Sequence, residues 1–155
     1  MFMRLPKIGV MAVASTLLVS AASAPDPTVI LGGAGPAPYF EGALDKIADA
    51  LTSAGVKVKI FSSEARTRTA LLDEMKRHSY VNLLYVTLES PRDNPADTSR
   101  GDLVSGCFVD GKKVWEESSK GPLVLPLGKE HEVDSMVSGI VKKISKRVGG
   151  PCLPK

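Results

Sequence analysis

The sequence predicts an α/β (α+β) fold, a mixed sheet of about five strands with three helices, in the order β-α-β-α-β-β-β-α. Three observations predict it. Helical and strand periodicities alternate through the first half of the chain, residues 81–88 are apolar on both alternating faces, and Asp110-Gly111 joins two strand patterns as a hairpin turn. Helices crossing between early strands imply parallel neighbours, whereas the hairpin implies antiparallel ones, so the sheet should be mixed.

The chain opens with a short basic start, Met1 to Lys7, followed by an uncharged apolar stretch over residues 8–19 and the small residues 20–24. A secretory signal has that order of parts. Residues 1–22 are read as that signal, with cleavage after Ala22 or Ser23, because Pro25 disfavours a cut directly before it. The apolar run is shorter than the ~20 residues a membrane-spanning helix needs. No cysteine stands at the cleavage point to carry a lipid. Loss of Arg4 and Lys7 leaves 18 of the 20 basic residues against 17 acidic ones, so the net charge falls from +3 to +1. No preference for nucleic acid or an acidic membrane follows from that balance.

Residues 23–38 form a leader with a first strand at 28–31 and a Gly/Pro-rich turn at 32–38. Residues 39–54 carry Ala43, Leu44, Ile47, Ala48, Leu51 and Ala54 at helical spacing, and Gly55 stops that helix. In the strand 56–60, Val56, Val58 and Ile60 should point inward and Lys57 and Lys59 outward. Ser62 or Ser63 caps a second helix that ends near His78. The doubly apolar strand 81–88 is the expected middle of the sheet. A polar loop over 90–100 leads to strands 103–109 and 113–117, and the proline-broken segment 121–126 can serve only as an edge strand or packed loop. The last helix, about 129–148, has a stripe of Val133, Met136, Val137, Ile140, Val141, Ile144 and Val148, with acids at its start and Lys142, Lys143, Lys146 and Arg147 near its end. Residues 39–148 thus form a single domain with a tail at 149–155.

Chemistry-bearing motifs are sparse. Gly33-x-Gly35 lacks the third glycine and the following acid of a dinucleotide site, so it reads as a strand-to-helix turn. Asp93, Asn94, Asp97 and Asp102 do not follow calcium-loop spacing, and Arg92 and Arg100 oppose their charge. No cofactor or metal is therefore expected. His78 and His131 lack a partner at ligand spacing. Cys107 and Cys152 are an even pair, which an oxidising compartment would join, or two unrelated thiols, one in a strand and one in the tail. Trp115 alternates with Val114, so one of the two must leave the main core unless both sheet faces are covered. The candidate partner contacts are Trp115, if it faces out, with Arg92, Arg100, Lys142 and Lys143.

The apolar strand Leu83-Leu-Tyr-Val-Thr-Leu88 and the hairpin ending Gly111-Lys-Lys-Val-Trp-Glu116, set in this order of elements, resemble small α/β domains of bacterial envelope proteins. The amino-terminal domain of the Tol-Pal translocation protein and CsgG-like domains are the ones they look like. The resemblance implies an envelope assembly role by analogy of fold. The expected function is an exported, periplasmic or extracellular, non-catalytic binding module for an envelope protein or cell-wall component, with no stable membrane span. Two alternatives stay open: a small secreted hydrolase using His78 or His131 as base, and a carrier of a small apolar ligand walled by Leu84, Val86 and Met136.

Overall fold

The computed structural model describes residues 27–35, 41–97, 100–122 and 131–155. The expected signal and its expected cleavage site, the prolines of the expected first turn and the segment 123–126 lie outside the described residues. The elements run β1 (Val29–Ala34), α1 (Glu41–Ser53), β2 (Val58–Phe61), α2 (Arg68–Lys76), β3 (Asn82–Glu89), β4 (Arg100–Val109), β5 (Lys112–Pro122) and α3 (His131–Ser145). This is the order that the periodicities predict.

The five strands lie in the order β2-β1-β3-β4-β5. β1 pairs parallel with both β2 and β3, and β3-β4-β5 pair antiparallel, so the sheet is mixed. The chain steps from β1 out to β2 and then back past β1 to β3. Crossovers of one hand made in opposite directions place their helices on opposite faces. Accordingly Ala43, Ile47 and Leu51 of α1 join Met136, Val137, Ile140 and Ile144 of α3 on the face of Leu31, Leu84, Val86 and Leu103. Leu71 and Met75 of α2 pack on the other face, against Ile30, Leu83, Tyr85 and Val104. α2 has only nine residues. Its contacts reach β1 and β3, and over β4 and β5 the same face carries Val104 and Phe108 beside polar side chains such as Glu116.

Several boundaries differ from the expectation for physical reasons. The first strand continues through Gly32 and Gly33 to Ala34 instead of turning at Gly32. A Cβ at Gly32 would stand 2.6 Å from Met75 Sδ, so glycine here admits α2 to the sheet and is part of the strand. α2 is capped by Thr67, which accepts from the Ala70 N–H at 3.3 Å, and not by Ser62 or Ser63. Ser63 Oγ instead accepts from the Ala65 N–H and donates to Glu74. Ile60, expected to point inward, is 40% exposed on β2, a four-residue strand at the edge of the sheet. β4 begins at Arg100, and β5 extends to Pro122 with Gly121 beneath Met136.

The chain ends by folding back on itself. Gly149, at φ +86°, donates its N–H to Leu153 O at 2.7 Å, and Val148 forms a bridge with Leu153. Cys152 and Leu153 are fully buried in the main cluster. Cys152 is there paired with Cys107 of β4 in a disulfide, Cα to Cα 6.2 Å.

Candidate functional site

The polar half of the α2 face is built from three cross-strand neighbours. Tyr85 of β3, Gly106 of β4 and Glu116 of β5 stand in one row of the sheet. A Cβ at Gly106 would meet the Tyr85 ring at 2.4–2.5 Å, so the phenol lies across the glycine and reaches Glu116. Its O–H donates to Glu116 Oε2 at 2.6 Å.

Around this bond sits a set of ion pairs. Arg68, first residue of α2, donates twice to Glu89 at 2.6 and 2.8 Å and once to Glu116 at 3.3 Å, with its guanidinium 5.3 Å above the Tyr85 ring. Thr87 Oγ1 donates to Glu89 at 2.6 Å. Arg92, from the β3–β4 loop, donates to Glu116 Oε1 at 2.5 Å, and Lys113 donates to Oε2 at 3.3 Å. Two carboxylates thus hold together α2, β3, β5 and the β3–β4 loop.

Burial alone would raise the Glu116 pKa. The donors Tyr85 and Arg92, the charge of Arg68 and the bond from Lys113 outweigh it, holding the carboxyl at about 2. Burial, reinforced by the bond to Glu116, keeps the Tyr85 phenol protonated well above its ordinary range. Near neutral pH the pair is thus held as a carboxylate and a neutral phenol joined by one hydrogen bond. The arrangement fixes position. Its outer cations, Arg92 and Lys113, are more than half exposed and face solvent beside this locked centre.

The predicted site residues divide between this network and other places. Arg92 belongs to it. Arg100 lies nearby at the start of β4, donating to Asp97 at 2.8 Å and to Asp93 at 3.5 Å. Trp115 takes the inward orientation, 8% exposed in the main core with Arg147 over its ring, while Val114 faces out at 42%. The indole therefore packs in the core and does not face outward as that reading required. Lys142 and Lys143 are exposed on α3, Lys143 donating to Ser118 O, and Arg147 beyond them is bonded to Glu117. His78 stacks on Tyr80 at 5.4 Å and meets Phe61 edge-on at 5.3 Å. His131 opens α3, and its side chain lies outside the described residues. Leu84, Val86 and Met136, the wall of the supposed carrier cavity, are at most 1% exposed within the packed core.

Sequence reading missed Tyr85, Glu116, Glu89 and Arg68. The signal was the alternation of Tyr85, Thr87 and Glu89 on one face of an otherwise apolar strand. Among the described residues no group of three metal-ligating side chains is gathered, and no helix is long and apolar enough to cross a membrane.

Fold and site together define a mixed-sheet α/β domain with one closed face and one half-open, ion-paired face. The sequence matches no protein-family model and no curated protein. Among solved structures it is similar to PelC from Paraburkholderia phytofirmans. A dodecamer of a single-substitution variant in space group C2 aligns at TM-score 0.45 and 14% identity over 78% of this chain and 86% of that one. The dodecamer in space group P6 aligns at 0.44 and 12% over 76% and 85%.

Proposed function

We propose that the protein is an exported, non-catalytic binding or assembly module of the cell envelope, periplasmic or extracellular. The observation that carries this reading is the cysteine pair: Cys107 and Cys152 are both fully buried and joined, and a bonded buried pair suits an oxidising compartment. The leader supports the same compartment from the sequence side. The ion-paired face supports binding over chemistry, since the carboxylate oxygens of Glu89 and Glu116 are taken up by donors from Arg68, Tyr85, Thr87 and Arg92. The element order behind the resemblance to envelope α/β domains points the same way by analogy.

The test is expression of the full chain in an exporting bacterial host. The expected product begins at Ser23 or Ala24, resists thiol alkylation until reduced, and is captured by crosslinking in intact cells with an envelope component. A chain that stays in the cytoplasm with two free thiols, or that turns over substrates in a hydrolase screen and captures nothing, would overturn the reading.

A further inference from the structure

We infer that the groove beside β2 is a binding site for an acidic polysaccharide, taking sugars that carry a carboxylate. This deepens the proposed envelope-binding role and rests on it. Two concavities meet at the Ser79-Tyr80 ridge between α2 and β3. One, of about 510 Å³, is lined by Lys57, Lys59, Ser79 and Tyr80 over a floor that includes Ile30. The other, of about 500 Å³, is lined by Lys76, Ser79, Tyr80 and Leu83, with Asp110 at its hairpin end. Each falls within the ordinary size of a small-ligand site. Two such spaces sharing one ridge suit successive units of a polymer.

The lining chemistry fits that ligand. A sugar ring offers an apolar C–H face and a polar edge. Tyr80 offers an aromatic body with a polar tip, and it is stiffened by His78, stacked on it within 14° of parallel, and by Phe61 edge-on at 6.4 Å. Three lysines line the two spaces against one acid, Asp110. That acid stands in the second space only, so it directs a ligand carboxylate toward the first, at Lys59. Lys76, an exposed residue, also lies with its ammonium 5.1 Å from the Phe108 ring centroid. Ser79 is held at φ +54°, where glycine would be easier, and strain of this kind concentrates at binding sites. The rival basic concavity, lined by Glu117, Lys143, Lys146 and Arg147, has no aromatic residue in that lining, and its Arg147 already bonds Glu117.

The experiment is calorimetric titration of the exported, oxidised protein with a galacturonate hexamer, a neutral glucose hexamer and a short polyglutamate. Galacturonate should bind in a salt-sensitive manner, at least about tenfold tighter than either control. Lys59→Glu should weaken it by about tenfold or more, the scale of one lost charge-assisted contact. His78→Ala, at an exposed position, should weaken it without unfolding the protein, and Lys142→Glu should leave it unchanged. Absence of galacturonate binding at millimolar concentration, equal binding of polyglutamate, or loss of binding in Lys142→Glu instead of Lys59→Glu would each overturn the inference. If it fails while crosslinking still captures an envelope component, the envelope role survives and only the sugar site is lost. A cytoplasmic, reduced chain overturns the envelope role itself.

Discussion

Glu116 shows how one side chain can tie several segments together. Its folded pKa of about 2 lies below its ordinary 4.5, so its contribution to stability is complete above about pH 4.5 and drains away as the pH falls toward 2. Urea unfolding followed from pH 6 to pH 2 should show the protein losing on the order of 2 kcal/mol more than a Glu116→Gln variant, a figure reduced for the solvent reaching Arg92 and Lys113. Tyr85 acts in the opposite direction. Its folded phenol keeps its proton while the unfolded one ionises near 10, so stability should fall as the pH rises above 10. Tyr85→Phe should remove that alkaline loss and cost about 1–2 kcal/mol at neutral pH, measured by the same unfolding curves. Ser105 is a simpler case: fully buried in β4, its hydroxyl has no hydrogen-bond partner among the described residues. Ser105→Ala should raise the unfolding free energy by about 1 kcal/mol, because it removes an unsatisfied polar atom while leaving little space.

At the scale of elements, the close approaches are made at glycines. α2 meets β1 over Gly32, the Tyr85 ring lies over Gly106, and α3 meets β5 where a Cβ on Gly139 would stand 2.3 Å from Ser119 Oγ. Gly32→Ala should destabilise by about 1–3 kcal/mol by pushing α2 from the sheet, while Gly42→Ala, which meets nothing within 4 Å, should be neutral or stabilising. Thermal unfolding of the two variants side by side checks this. The same glycines explain what could be read from the sequence and what could not. Regular periodicity revealed α1, α3 and β3, since their buried stripes follow 3.6 or 2 residues. Gly32 and Gly33 read as a turn because a strand glycine packed beneath a helix looks locally like a loop glycine. The cap of α2 was misplaced because Ser63 and Thr67 carry the same local signal, and only the fold decides which one meets the helix. The Glu116 network was out of reach for a further reason: it depends on a register that puts Tyr85, Gly106 and Glu116 in one row, and register is a property of paired strands, not of either strand alone.

For the molecule as a whole, the disulfide is the main covalent constraint. Closing a separation of 45 residues restricts the unfolded chain by about 4 kcal/mol in the chain-entropy account. A Cys107→Ala, Cys152→Ala double variant should therefore unfold at markedly lower urea concentration, with native spectra retained in its absence if α1 and α3 still pack. The two faces of the sheet divide the remaining work: one is sealed by α1 and α3, and the other is half covered by α2 and completed by charge pairs. The tail adds a constraint of timing. Leu153 and Cys152 sit in the same buried cluster as Val29 and Leu31 of the first strand. The core around Val29 and Leu31 is therefore complete only once residues 152–153 have joined it, and a chain held short of them lacks both that packing and the partner of Cys107.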